Sequence, residues 1–160
     1  MMWYIVASGL AFLTSLYFYR NKAEDIPYRM FRYDAIRNAA TAHGIDPELL
    51  YSIGWKESNL TLNARGALDE LGPFQMRPAT FGDVRSGNPE EMLTSWTVAS
   101  EAAAAYVKWL LERPAVNGDT LKMLKAYNGG IGNLERHTVS PEAVLYASDV
   151  LRIMKTEEYQ

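Results

Sequence analysis

The stretch DPELLYSIGWKES, residues 46–58, has the pattern of an amphipathic helix that carries a carboxylate on its apolar side. Asp46 is a favourable N-cap, and Pro47 suits the first helical position. Steps of three and four residues back from Glu57 meet small or apolar residues, namely Gly54, Ile53, Leu50 and Leu49. Glu57 is therefore expected on the face that turns towards the core.

A carboxylate in that position is unusual because burial without a partner is costly. Glu57 is also close to the predicted helix C-terminus, where the helix dipole disfavours negative charge. Both effects raise the pKa of Glu57, as a general acid that works near neutral pH requires. From this helix alone, the alternative is a boundary glutamate that pairs with a Lys or Arg.

Two further motifs follow in order, GPFQMRP at residues 72–78 and AYNGG at residues 126–130. Together with Glu57-Ser58 they resemble the three signatures of the lytic transglycosylases with a lysozyme-like fold. The usual forms of those signatures are Glu-Ser, Gly-Leu-Met-Gln-x-x-Pro and Ala-Tyr-Asn-x-Gly. Glu57 and Gln75 are eighteen positions apart, which is the spacing usual in that family. Three motifs in this order make the resemblance specific.

The resemblance extends over residues 33–155 and implies an all-α fold with a minor β or loop region. It also implies a reaction on peptidoglycan, in which one glutamate cleaves the bond between N-acetylmuramic acid and N-acetylglucosamine. That glutamate, here Glu57, first protonates the leaving oxygen and then accepts the proton of the muramoyl C6 hydroxyl. The product is a 1,6-anhydro sugar, and no water is added.

The family motifs also imply a set of substrate-binding residues around Glu57: Ser58, Gly72, Phe74, Gln75, Met76, Tyr127, Asn128 and Tyr146. Several of these residues have a second interpretation that is purely structural. Ser58 suits a hydroxyl that bonds backbone at a helix end, Phe74 and Met76 suit core packing, and Tyr146 suits packing in the last helix. Asn128 and the glycines after it are typical of a turn.

Two departures from the family pattern leave the type of cleavage open. Pro73 stands where a Leu is usual and removes a backbone donor. Asp69 and Glu70 stand where small residues are common, and either carboxylate offers a general base for water, as in an inverting lysozyme. We expect both to face solvent on a loop, which favours the transglycosylase. A third alternative is an inactive protein that only binds glycan, and the intact Glu57 argues against it.

Apolar periodicity and capping residues predict more helices along the chain. Residues 59–71 lack the apolar periodicity of a helix, so we expect a loop with a small β-hairpin there. The helices are expected at residues 28–43, at 78–84, from Asn88 to a stop at Pro114, from Asp119 onwards and from Ser140 onwards.

Composition excludes several functions for the 160 residues. The net charge of −3 and the scattered basic residues give no sign of nucleic-acid binding. The sequence has no Cys, and its two histidines, His43 and His137, lack the spacing of metal ligands. We therefore expect no metal site, no cofactor and no nucleic-acid partner.

The amino-terminal region predicts a membrane anchor. Residues 2–19 carry no charge and have aromatic residues at both ends, and Arg20 and Lys22 follow them. This length is just enough to cross a bilayer. A secretory signal is less favoured because the segment has no basic start and no clear cleavage site. The expected organisation is an anchor at 1–22, a tether and first helical turn at 23–32, and a catalytic domain at 33–160.

The expected location follows from the substrate. Peptidoglycan lies outside the cytoplasmic membrane, so we expect a membrane-anchored enzyme facing the periplasm or cell envelope, or a component of a phage virion. The basic residues after the anchor would instead keep the domain in the cytoplasm under the positive-inside rule. Expected partners are glycan strands, the membrane through residues 2–19, and proteins of an envelope machine or virion.

Overall fold

The computed structural model describes residues 29–156. A helix covers residues 29–42 (α1), at the beginning of this described part of the chain. The chain divides into two compact units, Met1–Asp34 and Ala35–Gln160. No helix within the described range is long and apolar enough to span a membrane. The predicted anchor at residues 2–19 lies outside that range, as do most of the predicted tether and the last four residues.

The second unit is built from helices, and residues 59–77 form a long connection between two of them. In chain order they are α2 (Pro47–Ser58), α3 (Pro78–Val84), a 3-10 helix (Pro89–Leu93), α4 (Trp96–Leu111), α5 (Thr120–Gly129), α6 (Ile131–Glu135) and α7 (Pro141–Lys155). Residues 29–156 contain isolated β-bridges but no strand. The predicted all-α architecture is therefore confirmed for the described chain.

Three of the predicted helix starts are formed by side-chain caps. Asp46, Asp119 and Ser140 each accept a hydrogen bond from a backbone N–H in the first turn, at 3.0, 3.0 and 3.2 Å. Such a cap satisfies a donor that has no partner within the helix. These local bonds explain why the starts of α2, α5 and α7 are evident from the sequence.

The prediction of one helix from Asn88 to Pro114 is wrong. The Asn88 side chain caps only the short 3-10 helix Pro89–Leu93. A second cap then interrupts the chain, because the Ser95 hydroxyl accepts the N–H of Val98 at 3.2 Å and begins α4. A serine that caps a new helix adopts extended backbone, so the first helix cannot continue through it.

The predicted β-hairpin is reduced to two antiparallel bridges, Arg65 with Leu71 and Leu71 with Met76. Leu71 and Met76 exchange both backbone hydrogen bonds, at 2.9 and 3.1 Å, around a turn over residues 72–75. Pro73 takes the second position of that turn, where its fixed φ is favourable and no N–H is required. The departure from the family motif at Pro73 therefore suits the local backbone.

Helix α7 packs against both α2 and α5. The approach to α5 is close, since a Cβ on Gly129 would lie 2.9 Å from the Cβ of Ala143. Beneath these helices lies one apolar core whose largest fully buried side chains are Phe74, Phe81, Ile36, Leu50, Ile53, Met92, Leu110, Met123 and Leu124. This packing brings the C-terminal end of α2 next to the first half of α7.

Candidate active site

An open cleft of about 440 Å³ lies where the end of α2, the 65–77 loop, α4 and α5 meet. Among residues 29–156, no three His, Cys, Asp or Glu side chains cluster closely enough to hold a metal ion. The residues that line the cleft are Glu57, Glu70, Gln75, Met76, Arg77, Thr80, Tyr106, Tyr127, Asn128, Gly129 and Gly130. Every one of the three sequence motifs thus contributes to one surface.

Glu57 reaches the cleft from the last turn of α2 and is only partly exposed. The Tyr146 hydroxyl on α7 donates a hydrogen bond to its Oε1 atom at 2.7 Å. The pKa of Glu57 is raised from its ordinary 4.5 to about 7, chiefly because burial disfavours the charged form, and the charge of Glu70 contributes to this rise. The hydrogen bond from Tyr146 and the charge of Lys56 act in the opposite direction. The carboxyl group can therefore both donate and accept a proton near neutral pH.

Three tyrosines form a row beside this carboxyl group. The rings of Tyr146 and Tyr127 are parallel within 2° with centroids 6.4 Å apart, and Tyr106 follows at 5.4 Å from Tyr127. Burial raises the pKa of Tyr146 and Tyr127 well above the usual value. Both hydroxyls therefore stay protonated, and the Tyr127 hydroxyl donates to the carbonyl of Phe74 at 2.9 Å rather than to Glu57.

Three of the expected binding residues support the cleft wall without lining the cleft, namely Ser58, Gly72 and Phe74. The Ser58 hydroxyl donates to the Pro73 carbonyl at 2.9 Å and accepts the N–H of Thr61 at 3.0 Å. Phe74 is only 1% exposed and packs in the core. Since none of the three lines the cleft, the structure gives them backbone and packing contacts that hold the 72–75 turn against the end of α2.

Gln75 and Met76 lie on the cleft side of that turn. Gln75 has a positive φ of 45°, and its Nε2 donates to the Gly72 carbonyl at 2.8 Å. This bond fixes the side-chain amide within the cleft wall. Met76 is 3% exposed and combines core packing with a contact surface in the cleft.

Asn128, Gly129 and Gly130 form the opposite lip of the cleft. The turn expected at these residues begins later, because α5 continues through Gly129. Gly130 has φ of 84° and separates α5 from α6, so only this glycine uses its conformational freedom for the turn. Asn128 remains exposed on the last helical turn.

Glu70 is a second carboxyl group in the cleft, and because the cleft is open its side chain stays in contact with solvent. Its side chain is 21% exposed, and Oε2 accepts the N–H of Leu68 at 2.9 Å. Burial raises the pKa of Glu70, but backbone hydrogen bonds and Arg77 outweigh burial, so the pKa is below its usual value. The cleft thus contains one carboxyl group with a raised pKa, that of Glu57, and one with a lowered pKa, that of Glu70. Asp69 is exposed and is not among the lining residues.

Sequence reasoning did not place Arg77, Thr80 or Tyr106 in the site. Arg77 occupies a variable position of the second motif, and Thr80 is in the first turn of α3. Tyr106 belongs to the apolar pattern of α4, which identifies a buried face but not the cleft at its edge. No signal in the chain links Tyr106 to Tyr127, since their contact depends on how α4 packs against α5.

Comparison with known structures shows which fold this is. The X-ray structure of the lytic transglycosylase Slt from Pseudomonas aeruginosa, solved as an inactive glutamate-to-glutamine mutant, matches with a TM-score of 0.70 and 18% identity. The match covers 81% of this chain and 24% of the Slt chain, so this chain spans about a quarter of that protein. The predicted lysozyme-like helical fold is therefore confirmed.

The sequence comparisons agree with this match. The X polypeptide of Escherichia coli is 34% identical over 75% of this chain and 72% of its own length. The peptidoglycan transglycosylase gp16 of Escherichia phage T7 is 32% identical over 64% of this chain and 8% of its own length. The family model called Transglycosylase SLT domain matches residues 34–147, and the chain belongs to that family. The resemblance to lytic transglycosylases, and the enzyme class that it implies, are confirmed at the level of the family.

Proposed function

We propose that this protein cleaves the glycan strands of peptidoglycan between N-acetylmuramic acid and N-acetylglucosamine and leaves 1,6-anhydro-muramoyl ends. The observation that carries the proposal is the Glu57 carboxyl group, whose pKa is raised to about 7 and which faces an open cleft. A group with this pKa is present in both protonation states near neutral pH. One residue can therefore serve as the acid of the first step and the base of the second.

In the first step, protonated Glu57 donates its proton to the glycosidic oxygen as the bond to the muramoyl C1 breaks. The sugar that leaves takes the proton and gains a hydroxyl group. The carbonyl oxygen of the muramoyl N-acetyl group bonds to C1 and holds the positive charge. The Tyr146 hydroxyl, 2.7 Å from Oε1, stabilises the carboxylate that has formed.

In the second step, the Glu57 carboxylate takes the proton of the muramoyl C6 hydroxyl. The C6 oxygen attacks C1 and displaces the N-acetyl oxygen, which closes the 1,6-anhydro ring. Glu57 is protonated again and no water is consumed. Gln75, Met76, Tyr127 and Asn128 contact the sugars in this proposal, because all four line the cleft.

The proposal is tested by replacing Glu57 with Gln, which keeps the shape of the side chain but cannot supply the proton. The purified variant is expected to fold normally and to lose the ability to clear a suspension of peptidoglycan. Glu112→Gln, at an exposed site on the C-terminal end of α4, is the matched control and should retain full activity. Substantial clearing by a folded Glu57→Gln protein would overturn the assignment.

A hydrolytic reaction is the second candidate function, and the position of Glu70 favours it. Glu70 lines the same cleft as Glu57 and its pKa is lowered, so it is ionised when Glu57 is protonated. An inverting glycosidase uses one protonated and one ionised carboxyl group in the same cleft. Mass spectrometry of the released fragments separates the two functions, because hydrolysis gives reducing ends that are heavier by one water.

We further propose that the domain acts at the cell envelope or from a phage virion, held by the predicted anchor at residues 2–19. The phage T7 relative, which is named as a peptidoglycan transglycosylase, supports a phage context. Protease protection in intact cells and immunoblots of purified virions would test this location. A catalytic domain exposed only to the cytoplasm, and absent from virions, would contradict both versions.

A further inference from the structure

Arg77 is the single cationic side chain among the described residues that line the cleft. Its side chain is 55% exposed, and its one ion-pair contact within residues 29–156 joins Nη2 to Oε1 of Glu70 at a long 3.5 Å. A guanidinium group has five N–H donors in a fixed fork that fits a carboxylate. Most of these donors are therefore open to a ligand in the cleft.

Glu70 does not compete strongly for that guanidinium group. Its Oε2 atom is held by the N–H of Leu68 at 2.9 Å, which fixes the carboxylate on the loop. An exposed ion pair at 3.5 Å contributes little, and the flexible Arg side chain can turn away from it. Glu70 thus keeps Arg77 at the edge of the cleft without saturating its donors.

The charge of Arg77 has no counterpart in a neutral glycan. N-acetylated sugar rings carry no charge, whereas the lactyl substituent of muramic acid ends in a carboxylate or in a peptide that bears carboxylates. We propose that Arg77 forms a subsite for a carboxylate on the muramoyl substituent, an inference that rests on the proposed function. Such a contact selects peptidoglycan over neutral polymers of N-acetylglucosamine, because charge complementarity gives specificity.

The test combines a change in the protein with a change in the substrate. Cleavage by the wild-type protein and by Arg77→Gln is measured on two samples of the same peptidoglycan. One sample is untreated, and in the other the carboxylates are converted to methylamides with methylamine and a carbodiimide. Arg85→Gln removes the same charge from an exposed site outside the cleft lining and is the matched control.

We expect kcat/KM of the wild-type protein to fall about tenfold on the neutralised substrate, the size of a solvent-accessible charge-assisted contact. Arg77→Gln should be about tenfold weaker than the wild type on untreated substrate and equal to it on neutralised substrate. Arg85→Gln should follow the wild type on both. Any effect of Arg77→Gln on Glu57 or Glu70 lowers kcat/KM equally on both substrates. The ratio of the effects on untreated and neutralised substrate therefore isolates the contact between Arg77 and the substrate carboxylate.

A further sample identifies the source of the carboxylate. Strands from which an amidase has removed the peptides carry only the lactyl carboxylate. Where a peptide is attached, the lactyl carboxyl group is an uncharged amide, so the amidase creates its free carboxylate. If Arg77→Gln also weakens cleavage of these strands, the subsite accepts the lactyl carboxylate as well, and if it does not, the subsite is specific for the peptide carboxylates. The proposed subsite is overturned if Arg77→Gln lowers kcat/KM by the same factor on untreated and neutralised substrate, or if it lowers kcat/KM on neither. A wild-type protein inactive on untreated peptidoglycan would instead refute the proposed function itself.

Discussion

Replacing Tyr146 with Phe tests whether the hydrogen bond at 2.7 Å sets the proton affinity of Glu57. The bond favours the ionised carboxylate and so opposes burial, and the pKa of about 7 is the result of both effects. Phe keeps the ring, and thus the parallel stack on Tyr127, but removes the donor. The pKa of Glu57 is therefore expected to rise further in the variant.

The size of this rise follows from the nature of the bond. A hydrogen bond to a charged group contributes about 1.5–3 kcal/mol, and one pKa unit corresponds to about 1.4 kcal/mol. We expect a rise of about one unit, at the lower end of this range, because the cleft is open and water can replace part of the lost bond. The carboxylate that forms when the glycosidic bond breaks loses the same stabilisation, so kcat should fall about tenfold.

The assay is the rate of peptidoglycan clearing from about pH 5 to about pH 10. Glu57 must begin protonated, so activity is lost as pH rises above its pKa, and in Tyr146→Phe this alkaline limb should move upward by about one unit. Tyr127→Phe is the control, since its hydroxyl donates to the Phe74 carbonyl and not to Glu57. An alkaline limb that stays in place in Tyr146→Phe, or moves downward, would refute the reasoning.

Three other predictions concern stability and the second carboxyl group. In Glu57→Gln, the free energy of unfolding in urea should exceed that of the wild type by roughly 3 kcal/mol above pH 7 and by little below pH 4.5. The sign follows because a raised pKa in the folded state costs stability as pH rises from 4.5 through about 7. Glu70→Gln should move the alkaline limb of activity downward by a few tenths of a unit, since the charge of Glu70 raises the pKa of Glu57. Asp69→Asn should leave it unchanged, whereas a loss of several orders of magnitude in Glu70→Gln would favour hydrolysis. Gly72→Ala should lower the free energy of unfolding by about 2 kcal/mol or more, because φ is +72° and the added Cβ would lie 2.5 Å from the Met92 carbonyl oxygen.

Sequence signals predicted the parts of this fold that depend on local interactions. The caps at Asp46, Asp119 and Ser140 are bonds between a side chain and the following turn, so they are evident in the chain itself. Ser95 makes the same kind of bond at the start of α4. The apolar pattern continues on both sides of Ser95, so the sequence predicted one uninterrupted helix there. Helix α6 has no side-chain cap and only five residues, which is too short for a period to be detected.

The cleft was predictable only as far as the motifs extend. Glu57, Gln75 and Asn128 were expected in the site from the family pattern, and all three line the cleft. The direction of the Glu70 side chain could not be predicted, because it depends on the backbone N–H of Leu68 and on Arg77 across the turn. A loop sequence specifies polarity, whereas the side of the loop that a carboxylate takes is set by tertiary contacts.

The acidity of Glu57 is likewise a property of packing rather than of its motif. Tyr146, the hydrogen-bond donor, is 89 positions away, and the contact exists because α7 packs on α2. A second link joins the same two helices beside it, where Lys56 Nζ lies 2.6 Å from Asp149 Oδ2. Asp149 therefore positions Lys56, whose charge lowers the pKa of Glu57. The contact between α2 and α7 maintains the burial that raises the pKa. If α7 separated from α2, water would reach the carboxyl group and its pKa would return towards 4.5, because desolvation is the largest cause of the rise. The Glu-Ser motif supplies the carboxyl group, but the packing of α7 on α2 makes it an acid at neutral pH.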